Sequence, residues 1–251
     1  MNDKAGVALG AALLAMMSAG PVAAVQVFQG LDNAFLAGGG GHPNADAARA
    51  SFNAAAGVLL VQTFDELANG PAPGVLTAPF GATLSGTATS NAAIASSVGP
   101  FDTFPTAGKF LDAVVTNGNP YYTFTFDLPT RAVGFDITDA SDWLNEQRPT
   151  ANLVVSLLTS TGNVELTMFA GTSPASIVNG NFGFFGVVSD AQDILGFSII
   201  NPLSNPDSDA IGIDNLAVSI EPVPLPGAAW MLLPALAGIA GITRRRRPAK
   251  A

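Results

Sequence analysis

Apolar and polar positions alternate most clearly in "YYTFTFDL", which begins at Tyr121. This period of two is typical of a β-strand with one buried face. Its apolar face would carry Tyr122, Phe124 and Phe126. Further short apolar runs follow between Gly, Pro, Asn and Ser turns: "RAVGFDITDA", "ANLVVSLLTSTGNVELTMFAG", "NFGFFGVVS", "ILGFSIIN" and "AIGIDNLAVSIEP". About ten strands at this spacing predict a mainly β protein, an antiparallel two-sheet sandwich of jelly-roll type.

Two local patterns refine this fold. The segment "TSTGNVE" (Thr159–Glu165) joins two apolar runs, which predicts a hairpin turn. Residues 25–57 are rich in Ala and Gly, and we expect them to form a lead with one short helix before a sandwich over residues 58–221. Asn44 or Asp46 would cap the start of this helix and Gly57 its end. The side expected to be buried carries Phe52, Ala48 and Ala55.

The two ends of the chain do not have the pattern of a sandwich. Residues 1–24 have the layout of a secretory signal peptide: Lys4, an apolar run, Pro21, and small residues that favour cleavage after Ala24. An amphipathic or buried N-terminal helix is the alternative. The Gly38–Gly41 tract lacks the spacing of a phosphate-binding loop and is interpreted as a linker.

The C-terminal segment, residues 222–251, has three parts. A Pro-x-Pro motif precedes an apolar run over Pro226–Thr243, which as a helix would reach about 27 Å and just span a bilayer core. Four arginines follow, where the positive-inside rule would keep them cytoplasmic. The motif is Val223, Pro224, Leu225 and Pro226, and the cluster is Arg244, Arg245, Arg246 and Arg247. A permanent single-span anchor and a basic nucleic-acid tail are the competing interpretations.

This tail, "VPLPGAAWMLLPALAGIAGITRRRR", resembles the sorting signal of PEP-CTERM proteins of Gram-negative bacteria. Leu225 stands where that family most often has Glu. The resemblance implies export by the Sec machinery, a transient inner-membrane stage, processing by an exosortase near the Pro-x-Pro motif, and a final place at the cell surface or outside the cell. It also implies an association with exopolysaccharide and biofilm.

The body also resembles a domain that PEP-CTERM proteins often carry. The matching pieces are short: Ala47–Phe52, Thr63–Leu67, Gly134–Ile137, Phe184–Asp190 and Gly212–Leu216. The resemblance implies a jelly-roll or lectin-like sandwich and no particular activity.

Charge narrows the possible partners. Between Val25 and Pro226 the chain has four basic residues against eighteen acidic ones, a net charge of about −14. Such a body should repel nucleic acids and anionic lipids and attract cations, so we expect no nucleic-acid partner. The chain has no Cys, which excludes disulfides and thiolate chemistry.

The single histidine, His42, lies in a glycine-rich stretch with no nucleophile-elbow motif, so we expect no Ser-His-Asp triad and no zinc site. Carboxylates are the one abundant reactive group, and glycoside hydrolysis needs only two. The sequence selects no pair among the candidates, which are Asp65, Glu66, Asp136, Asp139, Asp142, Glu146 and Glu165. We expect no enzyme; a secreted carbohydrate-active hydrolase using paired carboxylates is the alternative function.

Two binding sites are predicted. Jelly-roll sandwiches often hold a structural Ca²⁺ between an acid near the first strand and an Asp-Asn pair in the last, and by that analogy the ligands would be Asp65, Glu66, Asp214 and Asn215. No other cofactor is expected. The second site is the segment "ASDWLNEQRP", where an aromatic ring beside polar groups would suit a sugar. Its ligand-binding residues would be Trp143, Asn145, Glu146 and Arg148. The expected function is structural or adhesive, in association with extracellular polysaccharide.

Overall fold

The computed structural model describes residues 24–33, 41–85, 93–95, 108–115, 122–140, 152–173, 176–177, 180–200, 202 and 209–219. Within these ranges the chain forms fourteen strands and one helix, and the strands lie in two antiparallel sheets. This confirms the predicted mainly β, two-sheet sandwich with one short helix. The predicted signal helix and C-terminal span lie outside the described residues, and no helix within those residues has the length and apolarity to cross a membrane.

The elements in chain order are β1 (Val25–Asp32), α1 (Pro43–Ala56), β2 (Leu59–Gln62), β3 (Gly70–Pro71), β4 (Val75–Leu76), β5 (Ala82–Ser85), β6 (Ala93–Ala95), β7 (Phe110–Val115), β8 (Tyr122–Thr130), β9 (Ala132–Thr138), β10 (Val154–Thr159), β11 (Gly162–Thr167), β12 (Phe182–Ser189), β13 (Ile194–Ile200) and β14 (Asp209–Ser219). The first sheet has the order β1-β12-β9-β14-β7-β6-β3, with β2 also paired to β14. The second sheet has the order β11-β10-β13-β8-β5-β4.

A stack of three phenylalanine rings joins the two sheets. Phe197 of the second sheet lies between Phe124 of the same sheet and Phe135 of the first, at centroid distances of 4.8 and 5.1 Å. All three side chains are almost fully buried. Offset aromatic stacking adds to the large apolar area that such rings bury. The stack therefore marks the centre of the core between the sheets.

Two local predictions are confirmed. Tyr122, Phe124 and Phe126 of β8 are buried, while the polar side chains that alternate with them are half-buried or exposed. Strands β10 and β11 form the predicted hairpin, in which Thr159 pairs with Gly162.

The N-terminal boundary of the sandwich differs from the prediction. Strand β1 pairs along its whole length with β12, from Val25 opposite Ser189 to Asp32 opposite Phe182. The sandwich therefore begins at Val25, and residues 25–57 do not form a separate lead. The paired residues are 150 to 164 positions apart, and pairing at such a distance leaves no local pattern in the sequence that would reveal this strand.

The helix α1 packs on the outer face of the first sheet. It begins at Pro43, and Gly57 follows its end with φ of 80°, as predicted. The start is capped differently from the prediction: the Asp32 carboxylate of β1 accepts the Ala45 N–H at 2.9 Å and also a hydrogen bond from the Asn44 N–H. A carboxylate from a neighbouring strand thus satisfies two of the amides that a helix start leaves unpaired.

Phe52 is the large apolar side chain that attaches α1 to the sheet. It is fully buried and lies 5.4 Å from Phe184 and 6.0 Å from Phe28, centroid to centroid. Two glycines of the sheet leave room for it: a Cβ at Gly134 or Gly186 would lie 2.9 or 2.6 Å from a Phe52 ring atom. Strand β12 is consequently buried on both faces, which explains the continuous apolar run "FGFFGVVS".

Candidate functional site

A surface cavity of about 350 Å³ is lined by residues of both sheets. Its size lies within the range of about 300–1,000 Å³ that is common for small-ligand pockets. Residues from both sheets line it: Leu60, Pro79, Phe80, Gly81, Phe126, Asp127, Leu128, Pro129, Thr130, Gln192, Val218 and Ser219. We call it the Phe80 pocket.

An irregularity in strand β8 creates the Phe80 pocket. Thr125 pairs with Gly196 of β13, but the next pair along is Thr130 with Ile194. More residues therefore stand on β8 than on its partner between the two pairs, so β8 bulges there. The bulged residues, 126–129, supply one wall of the pocket.

Gly81 allows an acidic side chain to approach the backbone beside the pocket. A Cβ at Gly81 would lie only 1.9 Å from Oδ2 of Asp127, so any side chain there would displace the carboxylate. The Asp127 amide also donates to the Gly81 carbonyl at 3.0 Å. These two contacts fix Asp127 as an exposed carboxylate at the pocket.

The aromatic surface of the pocket is held rigidly. Phe80 is half-buried and packs edge-on against the buried Phe126, with ring centroids 6.0 Å apart and planes at 82°. Leu128 is 77% exposed, so it presents apolar surface to solvent at the same place. Across the pocket, the Gln192 amide donates to the Pro129 carbonyl at 2.7 Å, which fixes that side chain as well.

The described lining of the pocket carries negative charge and no positive charge. Among the described residues that line it, Asp127 is the single ionisable side chain, and none is Lys, Arg or His. An acceptor carboxylate beside an aromatic edge suits a ligand that has hydroxyl donors and apolar C–H surface. An anionic ligand would be repelled.

A second polar cluster lies between α1 and the first sheet. Asp136 of β9 is 1% exposed, and its Oδ1 accepts hydrogen bonds from Nε and a second nitrogen of Arg49, the former at 3.1 Å. Its Oδ2 accepts from Nδ2 of Asn215 at 2.8 Å. Burial raises the pKa of Asp136 above its ordinary value, while Arg49 and Asn215 oppose that rise. Arg49 also contacts the faces of Phe182 and Phe184, so this cluster fixes α1 to the sheet.

The residues predicted to bind calcium have other contacts in the structure. Asp65 accepts the Lys109 N–H at 2.8 Å, and Glu66 accepts from the Gln62 amide. Asp214 accepts the Asn215 N–H at 2.7 Å, while the Asn215 side chain belongs to the Asp136 cluster. The described residues include no group of three acidic or histidine side chains arranged for a metal. Calcium binding by this set stays a prediction.

The predicted carbohydrate loop and sorting signal lie outside the described residues, so Trp143, Asn145, Glu146 and Arg148, and likewise Val223–Pro226 and Arg244–Arg247, stay predictions. Sequence reasoning did not select Phe80 or Gln192. Phe80 lies in "TAPFGAT", where an aromatic residue between proline and glycine was a usable signal of a ring held in a turn.

Asp142 and Glu146 lie outside the described residues, and none of the other candidates for paired carboxylates in hydrolysis is among the described lining residues of the Phe80 pocket. Asp136 is engaged by Arg49, and Asp139 is 3% exposed with its Oδ1 accepting the Gly180 N–H. Glu165 lies on an exposed position of β11. The described part of the pocket therefore holds one carboxylate where a glycosidase needs two.

No family model matches the chain, and no curated protein is significantly similar to it. The solved structures to which the chain is similar include the following three. The K2 cleaved adhesin domain of Lys-gingipain is 10% identical, with a TM-score of 0.38 over 65% of this chain and 99% of that one. TmCBM61, in complex with β-1,4-galactotriose, is 11% identical, with a TM-score of 0.27 over 56% and 88%. A family 11 carbohydrate-binding module of a Clostridium thermocellum cellulase is 11% identical, with a TM-score of 0.28 over 64% and 95%. These similarities are low.

Proposed function

We propose that this protein is an exported surface or extracellular-matrix protein that binds uncharged polysaccharide through the Phe80 pocket. The observation that carries the proposal is the pairing of a fixed, half-buried aromatic ring with an exposed carboxylate in one cavity. Its role would be structural or adhesive, in association with extracellular polysaccharide.

The chemistry of the pocket favours a neutral sugar. A pyranose has a C–H face that packs on an aromatic ring and hydroxyls that donate to a carboxylate. Asp127 provides the acceptor and Phe80 the ring, while Gln192 is a further polar side chain of the lining. Uronic acids and other acidic sugars would meet Asp127 with no cationic side chain in the described lining to offset the repulsion.

The residues that line the Phe80 pocket also favour binding of a sugar without its hydrolysis. Both retaining and inverting glycosidases use two carboxylates roughly 5–10 Å apart across the scissile bond. Within the described lining, Asp127 provides an acceptor for a hydroxyl and has no second carboxylate as an acid–base partner. We therefore favour a binding protein over a hydrolase.

Asp127→Ala should weaken binding of a neutral polysaccharide at least about tenfold, because a hydrogen bond to a charged acceptor contributes on the order of 1.5–3 kcal/mol. Affinity gel electrophoresis against neutral and acidic polysaccharides measures this effect, and a glycan array selects the polymers to test. Asp127 is exposed, so the change should leave the melting temperature nearly unaltered.

Glu165→Gln is the matched control, because it also removes one exposed negative charge but lies on β11, which supplies no residue to the pocket. It should bind like the wild type. The proposal is wrong if Asp127→Ala binds as tightly as wild type, or if acidic polymers bind as well as neutral ones. Release of reducing sugar that Asp127→Ala abolishes would favour the hydrolase instead.

The export and sorting part of the proposal rests on the two ends of the sequence. Intact mass spectrometry of the mature protein should give a mass without residues 1–24 and without the arginine cluster, because a signal peptidase and an exosortase would remove them. Recovery of a mass that retains Arg244–Arg247 would contradict processing and favour a permanent anchor. Glycan binding is independent of this result, so the two parts of the proposal fail separately.

A further inference from the structure

The polar side chains of the Phe80 pocket differ in how far a ligand can reach them. The described lining has four such side chains, which are Asp127, Thr130, Gln192 and Ser219. Thr130 and Ser219 are only 3% and 4% exposed, and the Thr130 hydroxyl donates within the protein, to the Ser219 carbonyl at 2.8 Å. Asp127 is exposed and Gln192 is half-buried. Thr130 and Ser219 are therefore largely closed to a ligand.

Gln192 brings no accessible acceptor to the pocket. Its Nε2 donates to the Pro129 carbonyl at 2.7 Å, and its Oε1 is inaccessible to solvent. One N–H of the amide is left, so Gln192 can donate to a ligand but not accept from it. Among the described side chains of the lining, the accessible acceptor is therefore the Asp127 carboxylate.

The Asp127 carboxylate is held in one place. Its Oδ2 lies against Gly81, where a Cβ would come within 1.9 Å of it, and its own N–H donates to the Gly81 carbonyl. Phe80 directly precedes Gly81 in the chain, so one short segment holds both the aromatic ring and the carboxylate. An ionised carboxylate has no hydrogen to donate, so this fixed group can only accept.

A fixed group that only accepts can distinguish a free hydroxyl from a substituted one. A sugar hydroxyl donates its hydrogen to the carboxylate, whereas an O-methyl or O-acetyl group at the same position has acceptor oxygens alone. Such a group would lose the hydrogen bond and would place its oxygens against a negative charge. Sites that bind a hydroxyl through a hydrogen bond reject analogues that lack it.

We propose that the Phe80 pocket binds sugars with free hydroxyls and rejects O-methylated or O-acetylated ones, with Asp127 as the specificity-determining residue. This specificity rests on the proposed sugar-binding function of the pocket and narrows its ligand to unsubstituted neutral polysaccharide. O-substitution of the polymer would then release the protein without any change in the protein itself.

Calorimetry with oligosaccharides measures this specificity. The probes are oligosaccharides of dextran, mannan and mixed-linkage β-glucan, each with free hydroxyls and in fully O-methylated form. The full chain is kept in a non-ionic detergent without a sugar headgroup, so that the detergent does not compete. The wild type should bind at least one free-hydroxyl series and should bind its methylated form at least about tenfold more weakly, because the lost hydrogen bond has a charged acceptor.

Asp127→Asn separates the loss of a hydrogen bond from the bulk of the methyl groups. It keeps the side-chain shape, but its amide nitrogen can donate to an ether oxygen. The ratio of the two affinities should therefore fall towards one. Glu165→Gln makes the same chemical change on β11, which supplies no residue to the pocket, and should keep the wild-type ratio. Full discrimination in Asp127→Asn would overturn the proposal, because bulk alone would then exclude the methylated sugars.

Two further outcomes distinguish the specificity from sugar binding itself. Equal binding of free and methylated probes by the wild type, with weaker binding of both by Asp127→Ala, would overturn the specificity and leave sugar binding intact. If the wild type binds none of the free-hydroxyl probes, sugar binding by the pocket and its specificity are both overturned.

Discussion

Phe52→Ala is expected to lower the free energy of unfolding by about 3–5 kcal/mol, the usual cost of removing a buried aromatic ring. Phe52 is fully buried between α1 and the first sheet, where it contacts Phe28 and Phe184. The rest of the buried helix face is small, consisting of Ala45 and Ala56. Urea unfolding measures the loss, and the slope of the transition shows whether α1 has detached.

Leu128→Ala is the control for this change, because it truncates a large apolar side chain that is 77% exposed and should alter stability by less than about 0.5 kcal/mol. A second test changes Gly186, the glycine that lies against the Phe52 ring. Gly186→Ala should cost about 1–3 kcal/mol in the wild type, since its Cβ would meet Phe52 at 2.6 Å. In the Phe52→Ala background that cost should fall, because the clash is gone. Equal costs in both backgrounds would contradict this packing.

Arg49→Met is the second change with a large expected effect, about 3 kcal/mol of lost stability at neutral pH. It removes the guanidinium from Asp136, a carboxylate that is 1% exposed, and leaves its charge uncompensated. The thioether chain keeps much of the apolar volume over Phe182 and Phe184. Chemical unfolding at neutral pH measures the loss.

The pH dependence of this stability loss shows whether it comes from the broken ion pair or from lost packing. Arg49 stabilises the ionised form of Asp136, so its contribution is present at neutral pH and is lost as pH falls through the raised pKa of Asp136. The difference in the free energy of unfolding between wild type and Arg49→Met should therefore become smaller as the pH is lowered from 7 towards 4. Adding Asp136→Asn should recover part of the loss at pH 7. If this difference is constant with pH and the double variant recovers no stability, the loss comes from packing alone.

Local periodicity predicted the elements whose sequence signals lie within a few positions of each other. The alternation in "YYTFTFDL" gave the buried face of β8, and the turn after Thr159 gave the β10–β11 hairpin. Both depend on side chains within a few positions of each other. The helix was also found from local signals, because Phe52 stands among alanines and Gly57 ends the run.

Features that depend on distant residues could not be predicted. The cap of α1 comes from Asp32 in a strand that pairs with β12, not from a residue at the helix start. The "Asp-Asn" pair that suggested calcium has another role: Asn215 adopts φ of 49° where β14 shifts register, and its amide binds Asp136. Asn is one of the few residues that tolerate this backbone conformation.

The Phe80 pocket was missed for a related reason. Alternation in "YYTFTFDL" indicates the polar face of β8 for Asp127, yet the position of Asp127 beside Phe80 depends on the bulge and on Gly81. A register shift against β13 is invisible to the sequence of β8 alone.

The position of β14 in the sheet constrains the order in which the molecule can assemble. It is the last described strand in the chain, yet it is the shared partner of β9, β7 and β2. A chain that emerges from its N-terminus first would have β9, β7 and β2 in place before the strand that joins them. Their edges would stay unpaired and prone to mispairing until residue 219 arrives. Closure of the first sheet is therefore a late, single event, and a chain cut short before β14 would lack the centre of its sheet rather than an edge.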